Sequence, residues 1–155
     1  MIKRTLIAAL AAGSAFAAVT TTSSAEPPLV RFDLQTKTVA TQGRARAVGT
    51  VQLQSNQYGQ WRGVLKGRLN DICPPDRYGA YLEIDVYHSR TGLNRRSAED
   101  VRGCEADAKD VELKTPWDNG PFKVVIRLYE YDAQTGDFAP ADAVRVEYSP
   151  AQLGA

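Results

Sequence analysis

From Ala80 to His88 the chain alternates without a break: Ala80, Leu82, Ile84 and Val86 share one parity, Tyr81, Glu83, Asp85 and Tyr87 the other. A period of two with one apolar face is the mark of a strand laid on a core. Phe122 to Tyr131 repeats the pattern, with Phe122, Val124, Ile126 and Leu128 against Lys123, Val125, Arg127 and Tyr129. Gln60 to Asn70 sets Trp61, Gly63, Leu65, Gly67 and Leu69 against Arg62, Val64, Lys66 and Arg68. Four weaker runs follow the same rule, at Val30 to Leu34, Ala45 to Leu53, Val111 to Leu113 and Val144 to Tyr148.

Turn-forming residues separate these runs, notably Gln57-Tyr58-Gly59, Pro74-Pro75-Asp76, Asp118-Asn119-Gly120-Pro121 and Gln134-Thr135-Gly136-Asp137. No long helical stripe competes with them. The pattern therefore predicts an all-β protein, an antiparallel β-sandwich of about seven strands, with a partly open β-barrel as the alternative. Gly63, Gly67, Ala45, Ala47 and Gly49 lie on inward positions and offer little bulk, so Trp61, Phe32 and Phe122 are expected to fill the core.

The N-terminus reads differently. Lys3 and Arg4 precede an apolar stretch from Leu6 to Val19, and small polar residues then lead to Ser23-Ser24-Ala25. This is the order of a secretory signal peptide. An apolar stretch of about 14 residues falls short of the roughly 20 needed to span a bilayer. Residues 1–25 are assigned to the signal, with cleavage after Ala17 as the alternative, and residues 26–155 to a single β-sandwich domain. No cysteine stands near the cut for a lipid anchor, and no apolar tail follows Ser149. Without a twin-arginine pair the chain is expected to leave the cell unfolded, which argues against a bulky cofactor; none is expected.

Export changes the charge. The whole chain carries 19 Lys and Arg against 18 Asp and Glu, but two of the bases belong to the signal, so the exported domain has net charge −1. That excludes a polycation coating nucleic acid. The two cysteines, Cys73 and Cys104, both survive cleavage. Outside the cell they are expected to form one disulfide, worth roughly 3 to 4 kcal/mol through the loop it closes. They lack metal-ligand spacing.

Between the strands, Ser89 to Asp110 reads as the longest loop, with Arg90, Arg95 and Arg96 ahead of Glu99, Asp100, Glu105, Asp107 and Asp110. Ser97 suits the cap of a short helical turn with Glu99 and Asp100 in its first turn. The loop is either a solvated connection pinned by Cys104 or a presented binding loop.

Catalytic chemistry finds little support. His88 is the sole histidine, no nucleophile turn accompanies it, and one imidazole cannot build a metal cluster. Glu83 and Asp85 lie about 7 Å apart on one strand face by strand rise, a spacing open to glycosidase-type work but expected of a solvated face paired with Arg or Lys. Asp132 to Asp137 and Asp107 to Asp110 lack the ordered carboxylates of a calcium loop.

Two surfaces suit binding. Arg44, Arg46, Arg62, Lys66 and Arg68 form a basic stripe that Glu83 and Asp85 would neutralise if their strand packed alongside. Tyr81 and Tyr87 on one strand, Tyr129 and Tyr131 on another, and Trp117 in a Pro-Trp-Asp-Asn-Gly loop form an outward aromatic set, suited to stacking on a sugar or contacting a protein.

The Ala/Thr-rich leader, the segment WRGVLKGRLNDICPPDRYGAYLEI and the single cysteine pair resemble the small secreted β-proteins of high-GC Gram-positive bacteria that have no assigned function. The resemblance covers about the middle third of the exported chain and carries over no functional residues. The expectation is a secreted, monomeric, non-enzymatic module presenting loops and outward Tyr, Trp and Arg residues to a protein or glycan. A small secreted hydrolase and a protease inhibitor are the alternatives.

Overall fold

The computed structural model describes residues 27–37, 43–72, 78–102, 107–132, 134–139 and 143–155. The signal peptide assigned to residues 1–25 and both Cys73 and Cys104 lie outside the described residues. Among the described residues there are nine strands, β1 (Val30–Gln35), β2 (Arg44–Ser55), β3 (Trp61–Ile72), β4 (Tyr78–His88), β5 (Gly92–Asp100), β6 (Lys109–Lys114), β7 (Pro121–Asp132), β8 (Asp137–Phe138) and β9 (Val144–Tyr148). One 3₁₀ turn, Pro150–Leu153, follows β9. No helix among them is long and apolar enough to cross a membrane.

The strands form two antiparallel sheets rather than a closed barrel. One has the order β1-β2-β3-β6; the other runs β5-β4-β7, with β8 and β9 both pairing the far side of β7. Their inner faces share one core. Phe32, Leu34, Val51, Leu53, Leu65 and Leu69 come from the first sheet, and Leu82, Ile84, Val86, Val124, Ile126 and Leu128 from the second. The inward row of β4 is borne out, since Ala80, Leu82, Ile84 and Val86 are all completely buried.

Small inward residues set how closely the layers meet. A Cβ on Gly63 would lie 2.7 Å from Val86 Cγ2 and 3.1 Å from Ile84 Cδ1, so this glycine admits side chains of the opposing sheet. Phe32 is buried in the core as expected, while Trp61 is half-buried and packs against its margin.

Phe122 departs from expectation: it is 55% exposed. Tyr87 pairs with Lys123, yet His88 pairs with Pro121 rather than Phe122. The extra residue is a bulge, and a bulge reverses the facing of the residue it inserts. Phe122 accordingly meets Tyr87, with ring centroids 6.1 Å apart, instead of entering the core.

The expected loop with a helical turn at Ser97 is also corrected, because Gly92 to Asp100 is strand β5, paired along its whole length with β4. Gly92, at φ 88°, turns the chain into it. β5 is a sheet edge and buries no continuous apolar row, so its sequence carries no hydrophobic alternation to read. At its far end Arg102 grips Asp100 through Nε (2.8 Å) and Nη2 (3.1 Å).

The inward parity of β7 continues past Leu128 into Glu130 and Asp132, both fully buried. The Thr36 hydroxyl, just beyond β1, donates to Glu130 Oε1 and so ties the two sheets across the end of the core. Thr36 Oγ1 also accepts from the Ala45 amide at 2.8 Å.

Candidate functional site

The outer face of the five-stranded sheet carries the residues of opposite parity to the core. Across β4 and β7 the register stacks Tyr81 with Tyr129, Glu83 with Arg127, Asp85 with Val125 and Tyr87 with Lys123. On the other side of β4, Glu83 meets Ser97, Asp85 meets Arg95 and Tyr87 meets Leu93. An aromatic end, a charged middle and a second aromatic end thus lie along one pair of strands.

The charged middle is a compact network. Arg95 clamps Asp85 with two parallel hydrogen bonds, Nε to Oδ1 at 2.7 Å and Nη2 to Oδ2 at 2.9 Å, the fork geometry that guanidinium and carboxylate favour. Arg95 Nε also lies 3.1 Å from Glu83 Oε2. From the opposite side Arg127 Nη1 reaches Glu83 Oε1 at 3.0 Å and contacts Asp85 Oδ2 as well, while its Nη2 donates to the Tyr87 hydroxyl at 3.1 Å.

Every carboxylate oxygen of the pair therefore faces a guanidinium. The two acids are not the solvated groups expected from parity alone: Asp85 is completely buried and Glu83 nearly so, because Arg127 and Arg95 are folded over them. Burial, followed by the charge of Asp85, raises the Glu83 carboxyl above the ordinary range despite the pull of both arginines. Hydrogen bonding to Asp85 raises Arg95, and both guanidiniums stay charged.

Beside this network four rings converge. Tyr81 lies 6.3 Å from Tyr129 and 5.3 Å from Tyr131, centroid to centroid. Phe138 touches all three, at 5.1 Å from Tyr81, 5.3 Å from Tyr129 and 5.1 Å from Tyr131. These distances and tilted or edge-on angles are those of favourable aromatic pairs. Tyr81, Tyr129 and Phe138, together with Glu83 and Arg95, line an open recess of about 400 Å³. Burial and the neighbouring Glu83 charge raise the Tyr129 phenol, which keeps its proton for donation.

Of the predicted aromatic set, then, Tyr81, Tyr129 and Tyr131 come together. Tyr87 lies six residues further along β4, with Lys123 Nζ 4.5 Å from its ring centroid. Trp117 does not join them; it is 37% exposed and stacks on the Arg62 guanidinium at 4.3 Å, beside the bridge between Trp61 and Asp118. Parity arguments had no means of placing a loop tryptophan.

Phe138 escaped the sequence reading, although a signal existed. The Gln134-Thr135-Gly136 turn closes a tight hairpin after Asp132, and Phe138 pairs directly with Tyr131.

The basic stripe is a set of local partnerships. Arg46 pairs with Asp33 at 2.7 Å, Lys66 with Glu112 at 3.1 Å and Arg68 with Asp110 at 3.6 Å. These acids come from β1 and β6 of the same sheet, whereas Glu83 and Asp85 belong to the other, so the expected neutralisation by β4 is corrected.

His88 is 2% exposed, and its Nδ1 contacts the Asn119 carbonyl at 3.1 Å, which fixes a buried strand end rather than a base beside a nucleophile. Among the described residues no three His, Asp or Glu side chains gather as a metal cage.

In comparisons with known proteins the chain matches no family model, no curated protein and no solved structure.

Proposed function

We propose that this chain is a secreted, non-enzymatic glycan-binding module whose site is the recess framed by Tyr81, Tyr129, Phe138, Glu83 and Arg95. The observation that carries the reading is the convergence of three tyrosines and Phe138 beside a self-neutralised carboxylate and guanidinium network. A sugar ring has C–H faces that stack on aromatic rings and hydroxyls that bond planar polar groups. The recess offers both, and its volume of about 400 Å³ falls within the range of small-ligand sites. Its lining charges, Glu83 and Arg95, bridge each other at 3.1 Å, which suits an uncharged, hydroxyl-rich ligand.

The same network supports binding over hydrolysis. A general acid needs a proton to give and a base a lone pair facing the substrate. Here the oxygens of Glu83 and Asp85 are turned to Arg95 and Arg127.

Export rests on the order of Lys3-Arg4, the apolar stretch to Val19 and the small residues ending at Ala25. The proposed Cys73–Cys104 disulfide is supported by sequence position: Cys73 directly follows β3, Cys104 follows β5 by four residues, and β3 and β5 are in contact. Mass measurement of exported protein with and without reductant tests the cut and the bridge together; two alkylatable thiols without reductant exclude the bridge.

Co-sedimentation with insoluble chitin, cellulose and peptidoglycan tests the function. Retention on at least one polymer, lost in both Tyr81→Ala and Phe138→Ala, is the expected result. Retention unchanged in both variants, or none on any polymer together with inhibition of a chymotrypsin- or subtilisin-class protease, overturns it.

A further inference from the structure

The second aromatic end of the same face is left unused by a ligand confined to the recess. Tyr87 pairs across strands with Leu93, and the bulge that turns Phe122 out of the core sets its ring 6.1 Å from Tyr87. Phe122 and Leu93 are both large, apolar and exposed. Such groups scattered singly need no explanation, but clustered beside an aromatic ring at a strand end they mark a contact surface. Phe122, with Lys123, Glu147, Tyr148 and Ser149, also edges a second hollow of about 260 Å³.

We infer that Tyr87, Phe122 and Leu93 form a second subsite, and that the ligand is a linear, uncharged polysaccharide lying along β4 and β7 from the Tyr81 recess to Phe122. This rests on the glycan reading of the recess and adds the length and linear form of its ligand. Six residues of one strand separate Tyr81 from Tyr87, about 20 Å by strand rise. One sugar ring cannot bridge that distance, whereas a chain of several rings can.

The surface between the ends specifies the charge. Glu83 and Asp85 are matched by Arg95 and Arg127, and Arg145 by Glu147. A charged polymer would have to break these pairs to gain its own, but a neutral one can bond across them with hydroxyls. Both aromatic ends take ring faces, the second with the Lys123 ammonium 4.5 Å from the Tyr87 ring centroid, and the belt between them takes polar edges.

Calorimetric titration with cello- and chito-oligosaccharides, from disaccharide to hexasaccharide, separates the two levels of the argument. For one of the two series, affinity is expected to rise about tenfold between the shortest and longest members, a gain of roughly 1.4 kcal/mol. Phe122→Ala and Leu93→Ser should abolish that rise while leaving disaccharide affinity unchanged; both positions are exposed, so a circular dichroism melt matching the unsubstituted protein verifies their fold. A disaccharide bound as tightly as the hexasaccharide overturns the second subsite and leaves the recess standing. A polyanionic polysaccharide binding more tightly than the neutral series overturns the uncharged ligand. Binding by neither series overturns the linear uncharged ligand, and the recess itself is overturned only if retention on peptidoglycan fails as well.

Discussion

Gly49 and Gly67 face one another across β2 and β3 so closely that a Cβ on either would lie 2.2 Å from backbone oxygen of the other strand, Lys66 O in one case and Val48 O in the other. Neither neighbour can swing aside as a flexible side chain would, so the ladder itself must move. Gly49→Ala is expected to lower unfolding free energy by roughly 1 to 3 kcal/mol, the range for overpacked interiors. Urea denaturation checks it, and a midpoint unchanged from that of the unsubstituted protein would mean that the two strands do not approach as described.

Asp85 and Glu83 share the same arginines but should respond in opposite ways. Asp85 is fully buried and held by the Arg95 fork, so Asp85→Asn leaves two guanidiniums facing a neutral amide. Breaking one partner of a buried ion pair costs about 3 to 5 kcal/mol; the half-exposed position of Arg95 places the expected loss at the lower end, about 3 kcal/mol. Thermal melts of Asp85→Asn and Glu83→Gln at neutral pH should show a clear fall only for the first.

The reason lies in the direction of the Glu83 shift. Its folded carboxyl binds a proton more tightly than the unfolded chain does, since burial and Asp85 raise it. Above the folded pKa the unsubstituted protein carries a penalty for the charge, and that penalty fades as pH falls through the folded value. Glu83→Gln is therefore expected to match or exceed the unsubstituted protein in stability at neutral pH and to lose that advantage in acid. Urea midpoints of both proteins across the acid range provide the measurement; an advantage that grows toward low pH would contradict the assignment.

Thr36 supplies a hydroxyl to Glu130 and receives the Ala45 amide. Thr36→Val keeps the shape and removes both contacts. A loss of about 1 to 3 kcal/mol is expected for leaving buried partners without this group, measurable by chemical denaturation. Thr36→Ser, which retains the hydroxyl, should recover most of it.

Phe138 gives the converse case. It is 44% exposed, and its contacts are with the three tyrosines rather than the core. Phe138→Ala is expected to shift stability by less than about 1 kcal/mol, as exposed substitutions do, while polymer retention falls. A melt that collapses instead would assign the ring a folding role.

How much of this was legible in the sequence depended on whether a residue's surroundings were local. β4 could be read outright because its whole inward row is buried and nothing interrupts its parity. Phe122 could not, since a single inserted residue in the β4 and β7 register reverses its side and leaves no trace in composition. β5 was hidden for a different reason: as an edge strand with polar residues on both faces it has no hydrophobic period. At the site, parity placed Glu83 and Asp85 on the outer face, but their burial depends on Arg127, more than 40 residues away in sequence. The tyrosines were recognisable as a set because they sit on strongly periodic strands. Trp117 was not placeable because a loop has no parity.

Strand β5 is the outermost strand on its side of the five-stranded sheet. Among the described residues no strand pairs its outer edge, and such edges are the template on which β-proteins add foreign strands and aggregate; here Arg96 Nη1 caps the Arg95 carbonyl at 2.9 Å and Lys109 Nζ the Glu99 carbonyl at 2.7 Å. Arg95 and Arg96 project to opposite faces of that edge, and both are exposed. An incoming strand would have to cover both charges. The arginine that completes the recess thus also flanks the edge along which a second copy of the chain would have to pair.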